Sequence, residues 1–172
     1  RFGDIAVLYR SNHQSRQLEM QLQQLNVPYT LTGGTSFFAR SEVKDIMAYL
    51  RLLVNPDDDN AFLRIVNVLR RKIGPNTLEK LGLFSQQVQT GLFTAIGHSS
   101  AAEVLGHETQ ARLQEFARWM DGVRLQSQRD DDPVAAVREM VSDMDYEAWL
   151  HQNASSDAVA KRRMDNVHYL LD

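Results

Sequence analysis

The stretch Arg70-Arg71-Lys72-Ile73-Gly74-Pro75-Asn76-Thr77-Leu78-Glu79-Lys80-Leu81 holds the residue types that could do chemistry on a polyanion. A basic triplet runs into Ile-Gly-Pro, and Asn76 with Glu79 three residues later reads as a helix-entry box ahead of Leu78, Leu81 and Leu83. Such a turn aims backbone N–H groups outward. These groups carry partial positive charge at a helix start, Gly74 lets a second backbone come close, and Arg70, Arg71 and Lys72 add screened Coulomb attraction. The chemistry that follows is a grip on a nucleic-acid backbone. The competing reading is an ordinary helix-to-helix turn with solvated basic residues, because Gly, Pro and Lys are common in turns.

The other polar clusters read as structure. Asp57-Asp58-Asp59 follows a helical stripe rather than a strand, and acids in a first helical turn complement the macrodipole, so capping is expected there rather than a metal. His98 and His107 have no acidic or histidine partner at ligand spacing. Tyr146, Trp149 and Leu150 could stack on bases, but their spacing is that of packing. Lys161-Arg162-Arg163 reads as a solvated helical face. Gly33-Gly34-Thr35 lacks the spacing and the lysine of a phosphate-binding loop, and neither a G-x-S-x-G elbow nor an H-E-x-x-H helix is present. No catalytic residue, metal or nucleotide site is expected in this chain.

The elements that must position the turn follow from periodicity. Ile5-Ala6-Val7-Leu8-Tyr9 predicts a buried strand over 4–10, Ser11 or Asn12 a cap, and Leu18, Leu22 and Leu25 one face of a helix to about residue 25. Asn26-Val27-Pro28 ends it, and 29–32 reads as a second strand, giving a βαβ piece of an α/β domain. After the break at Gly33-Gly34 everything is helical. Ser41 caps a helix bearing Val43, Ile46, Met47, Leu50 and Leu53, and Asn55-Pro56-Asp57 stops it. A helix over 58–69 buries Phe62, Ile65, Val66 and Leu69. Helices are then predicted over 76–89, 92–96, 108–128 and 133–143, the last opened by Asp132 and Pro133 after Asp130-Asp131. A loop is predicted over 97–107, and a short helix begins near Tyr146. The helix from Asp157 keeps its spacing, with Val159, Arg163 and Val167 alternating with Ala160, Met164 and Leu171. The fold class is therefore mainly α, preceded by a short β-α-β piece of a RecA-like α/β domain.

At 172 residues and 43% hydrophobic content the chain can bury a sizeable core. It has no cysteine, which excludes disulfides and thiolate metal sites and fits a reducing compartment. No apolar run approaches the roughly 20 residues of a membrane span, so a soluble protein is expected. With a net charge of −3, nucleic-acid binding must come from a local patch. Both ends read as cut: the chain starts at Arg1 on a strand without a neighbour, and Asp172 follows helical sequence with no stop signal.

Several strings in register carry a resemblance. Ile5-Ala6-Val7-Leu8-Tyr9-Arg10-Ser11-Asn12-His13-Gln14-Ser15-Arg16, Pro28-Tyr29, Gly33-Gly34-Thr35-Ser36-Phe37-Phe38, Glu42-Val43-Lys44-Asp45, Ala48-Tyr49-Leu50-Arg51 and Asn55-Pro56-Asp57-Asp58-Asp59 resemble the superfamily 1A DNA helicases of the Rep, UvrD and PcrA group. Gly-Gly-Thr-Ser-Phe-Phe and Met144-Asp145-Tyr146-Glu147 are most similar to its Rep branch. The resemblance implies residues 1–32 as part of motor domain 2A and 33–172 as most of the helical subdomain 2B. It implies a bacterial, cytoplasmic, ATP-dependent 3′ to 5′ helicase of replication restart or repair, with ATP and Mg held elsewhere in the whole protein. Arg10 and Asn12 match a single-stranded DNA motif. Lys72-Ile73-Gly74 falls on a Gly-Ile-Gly turn that touches duplex DNA in relatives, which brings Arg71, Lys72, Ile73, Gly74 and Thr77 into a duplex site; Lys72 stands where that motif has its first glycine. The other function open to a helical piece of this kind is docking a replication or repair protein without touching DNA.

Overall fold

The computed structural model describes every residue except Gly33, Thr35, Arg70, Asp130 and Asp131, and the backbone alone at Asn12 and His13. The break expected at Gly33 and the turn residues Asp130 and Asp131 thus lie outside the described residues. The chain divides into two compact units, Arg1–Lys44 and Asp45–Asp172. The sequence draws its division at 32–33; the contacts draw theirs at Lys44, inside a helix.

The first unit holds helix α1 (Asn12–Gln24), short 3-10 turns at Phe2–Asp4 and Phe37–Ala39, and the opening of α2 (Ser41–Val54). Neither expected strand forms: no strand occurs among the described residues. Ile5 has extended dihedrals, φ −108° and ψ 128°, so the sequence does set local conformation. A strand also needs a ladder partner for its N–H and C=O groups. Without one, Ile5, Val7 and Leu8 stand 69%, 58% and 95% exposed. The expected leucine face of α1 is also corrected, because Leu25 is exposed and the helix buries Ser15 and Glu19 instead. Asn26, at φ 52°, closes α1 as expected, with the Val27 N–H reaching back to the Leu22 carbonyl at 2.8 Å.

Glu19 organises this unit. Its carboxylate, 2% exposed, accepts from the Phe37 N–H at 3.1 Å, the Tyr29 hydroxyl at 3.1 Å and the Ser36 hydroxyl. Phe37 is fully buried, with the guanidinium groups of Arg16 and Arg40 at 5.9 and 5.8 Å from its ring centroid.

The second unit continues α2 and adds α3 (Asp59–Ile65), α4 (Pro75–Val88), α5 (Leu92–Ala95), α6 (Ala101–Leu105), α7 (His107–Arg129), α8 (Pro133–Asp143), α9 (Tyr146–Asn153) and α10 (Asp157–Leu171). Local chemistry sets the boundaries. Asp132 accepts the Val134 N–H at 3.0 Å ahead of Pro133, and Ser156 caps α10. The loop expected over 97–107 contains α6, which buries Ala101 and Leu105. The stripe on α7 buries Leu113, Phe116, Met120 and Val123, whereas Leu125 is exposed. One apolar core joins Tyr49, Phe62, Ile65, Phe93, Phe116, Met120, Met140 and Val167 with their neighbours. α7 lies against α6 and α8, α4 against α5 and α6, and α10 against α9. Among the described residues no helix is long and apolar enough to cross a membrane.

The acidic triplet has three separate tasks, all of them structural. Asp58 caps α3 through the Ala61 N–H at 2.9 Å. Asp59 accepts the Leu92 N–H at 2.7 Å and so caps α5, and Asp57 accepts the Thr94 hydroxyl at 3.2 Å. A second polar knot joins three helices: the Tyr146 hydroxyl donates to Asp45 at 3.0 Å, and Arg64 pairs with the same carboxylate at 2.6 Å.

Candidate nucleic-acid interface

The basic turn begins where α3 ends at Ile65 and finishes where α4 starts at Pro75. Among its described non-glycine residues two have left-handed backbone, Leu69 at φ 74° and Lys72 at φ 59°. That region costs an L-residue about 1–2 kcal/mol and persists only where the surroundings enforce it. The enforcement is visible on both sides of Lys72. Asn67 pairs with Ile73 through both halves of its amide, donating to the Ile73 carbonyl at 2.7 Å and accepting the Ile73 N–H at 3.1 Å. The Ile73 side chain is buried at 3% exposure. Arg71 folds back into the unit, with Nη1 3.0 Å from the Ile65 carbonyl and 2.6 Å from that of Val68.

The structure therefore separates the residues of the expected duplex site. Lys72 and Gly74 are exposed and Thr77 is half-buried at the same helix entry. Arg71 and Ile73 face the other way, so the outward surface does not include the Arg71 guanidinium or the Ile73 side chain. Arg70 lies outside the described residues. The helix-entry box is also corrected: Gly74 is the N-cap, at φ −75° and ψ 162°, and Pro75 occupies the first turn in place of Asn76 as cap. Proline's fixed φ starts the helix one residue early. The Thr77 and Leu78 N–H groups both return to the Gly74 carbonyl, at 3.0 and 3.1 Å. Pro75 has no N–H, and among the described residues that of Asn76 meets no acceptor. A Cβ built on Gly74 meets nothing within 4 Å among the described residues.

Behind the turn lies Tyr49, whose phenol burial holds above the ordinary 10.0, with Arg71 pulling it partly back. Its hydroxyl lies 3.4 Å from Arg71 Nη1. Sequence reasoning missed Asn67 and Tyr49, since the partners of each lie across a turn or on another helix. In the first unit Arg10 is exposed and its backbone N–H donates to Gln14 Oε1 at 3.0 Å. The Asn12 side chain lies outside the described residues. Among those described, no group of three or more His, Asp or Glu side chains could hold a metal.

Comparison with known proteins decides the family, because residues 1–121 match the UvrD-like helicase C-terminal domain. The chain belongs to the UvrD-like helicase C-terminal domain family. It is 45% identical over 170 residues to the ATP-dependent DNA helicase Rep of Escherichia coli, covering 99% of this chain and 25% of that protein. The Rep of Salmonella typhimurium is 46% identical over the same length, again with 99% and 25% covered. The ATP-dependent DNA helicase PcrA of Bacillus subtilis is 36% identical over 172 residues, covering 99% of this chain and 23% of that protein. The chain thus spans about a quarter of the length of the curated relatives it matches. The family resemblance carried by the sequence strings and the mainly helical class both stand. The Lys72 backbone, left-handed at φ 59°, has a conformation that glycine adopts without the cost an L-residue bears.

Proposed function

We propose that this chain is the duplex-contacting, regulatory part of an ATP-dependent 3′ to 5′ DNA helicase, in which residues 1–32 belong to motor domain 2A and 33–172 to subdomain 2B. The whole protein would hydrolyse ATP with Mg at a site outside this chain and act in the bacterial cytoplasm, in replication restart or repair. Lys72, the backbone at Gly74 and the hydroxyl of Thr77 meet the phosphates of duplex DNA, while Arg71 and Ile73 support them from inside. Arg10 and Asn12 serve the single-stranded track, a guanidinium and an amide being suited to phosphate and sugar.

The observation that carries this reading is the alternation at the turn. Lys72 and Gly74 are exposed on either side of a buried Ile73, ahead of the open N-terminus of α4. An exposed ammonium, together with a glycine and an N–H that meet no partner among the described residues, forms a small cradle for a phosphate. Every nucleotide carries that group, so binding is independent of sequence. Because the chain's net charge is −3, attraction is local and weak and falls steeply with salt.

Fluorescence anisotropy on a labelled hairpin duplex, from about 50 to about 200 mM salt, tests this. Replacing Lys72→Ala should weaken binding at the low end and reduce the salt slope by about one. Equal curves for the two proteins would remove the turn from the DNA contact. Protein docking, the other function open to this chain, would then be tested by capture of replication or repair proteins after nuclease treatment.

A further inference from the structure

We infer that Arg71 is a positioning residue: by folding its guanidinium back between α2, α3 and α7, it holds the turn in the shape that points Lys72 outward. This rests on the reading of the turn as a DNA contact and assigns the part of it that does not touch DNA. The first argument is where the donors go. The carbonyls of Ile65 and Val68 lie at and just beyond the end of α3, and Arg71 Nη1 reaches both, at 3.0 and 2.6 Å. The arginine thus closes the helix from beyond its end, a role for which a cation at a C-terminus is suited.

The second argument is the shape of its seat. The guanidinium carbon sits 4.3 Å from the Phe116 ring centroid and 5.9 Å from that of Trp119, while the Tyr49 hydroxyl lies 3.4 Å from each terminal nitrogen. Its acceptors are two carbonyls and a phenol, all neutral. A flat cation can stack on Phe116 and still direct its edge at the carbonyls, which a lysine ammonium cannot match.

The third argument is the backbone between the anchors. Arg71 is tied through its side chain and Ile73 through the Asn67 amide, and Lys72 between them is left-handed at φ 59°. With both neighbours fixed, the middle residue must carry the reversal, and its side chain leaves on the open side. A turn freed at 71 would recover ordinary backbone dihedrals and present Lys72 in many directions, so its phosphate contact would form only part of the time.

The test compares the chain with Arg71→Lys, Arg71→Gln and Lys72→Ala on the same labelled hairpin across the salt range. Both Arg71 variants should bind about tenfold more weakly and keep most of the unchanged chain's salt slope, because Arg71 itself touches no phosphate and the Lys72 contact still forms part of the time; Lys72→Ala should lose about one unit of slope. Loss of a unit of slope in Arg71→Gln, regained in Arg71→Lys, would make Arg71 a direct phosphate contact and overturn the inference. Full binding by both Arg71 variants beside weakened Lys72→Ala would also overturn it, while leaving the DNA reading in place. Unchanged binding by Lys72→Ala would overturn that reading and, with it, the purpose assigned to Arg71. A measurement on the unchanged chain covers variants that fail to fold. In NMR spectra the Arg71 guanidinium protons should keep the ring-current shift of Phe116 with and without the hairpin, and their return to ordinary values on DNA addition would contradict the inference.

Discussion

The two units of this chain are ordered by different forces, and the contrast separates what hydrophobic pattern can do alone from what it needs a partner to do. In Asp45–Asp172 the helices satisfy their own backbone hydrogen bonds, so each apolar stripe is free to pack, and the result is one continuous core. In Arg1–Lys44 the strongest apolar run, at 5–9, is extended and exposed, because a strand leaves its backbone groups to a neighbour. What orders that unit is the Glu19 carboxylate, which collects donors from Tyr29, Ser36 and Phe37.

Breaking the polar knot of the larger unit should have the greatest effect. Asp45 receives Tyr146 at 3.0 Å and Arg64 at 2.6 Å, and Arg64 is partly open to solvent. Asp45→Ala removes the carboxylate that Tyr146 donates to and Arg64 pairs with, and a urea melt followed by circular dichroism should show a loss of about 3 kcal/mol. A loss below about 1 kcal/mol would mean that the apolar core orders the three helices unaided.

The corresponding change in the smaller unit is Glu19→Ala. It strips the buried Phe37 N–H of its acceptor, and amide exchange at Phe37 should accelerate by an amount equivalent to about 2 kcal/mol. Exchange in α7 should not change. Equal acceleration in both units would show that the chain unfolds as a single body.

The smallest expected effect is alkaline. Burial raises the phenol of Tyr49, so the folded state keeps that proton more tightly than the unfolded chain does. Its contribution to stability is then constant below about pH 10 and declines as pH rises beyond it. Tyr49→Phe should flatten that alkaline limb in melts of the larger unit. Tyr29, also raised by burial first but half-exposed, should give its own unit a shallower one.

Legibility in the sequence followed the range of the forces. The start of α8 was readable because Asp132 and Pro133 act within one turn, and the capping role of Asp58 because it caps its own helix, whereas the reach of Asp59 to Leu92 and of Asp57 to Thr94 was not. The cap of α4 was read two residues late, since Asn76 offers a capping side chain while Gly74 caps with backbone alone. Glu19 was invisible: on a helix rich in glutamine, a buried acid has the same pattern as a solvated one. In the basic turn the sequence identified the patch but not the orientation of its members. Arg71 and Lys72 are adjacent cations, and only the backbone reversal at Lys72 and the ring of Phe116 send one inward and the other out. The Asn67 pairing with Ile73 has no spacing rule that would reveal it.

The most direct test of the turn as a grip on duplex DNA is an amide NMR titration of the chain with an unlabelled hairpin at low salt. If the turn makes the contact, shift changes should centre on Lys72, Gly74, Asn76 and Thr77 and fade as salt is raised. Changes centred on α8, α9 or α10, with the turn silent, would contradict it.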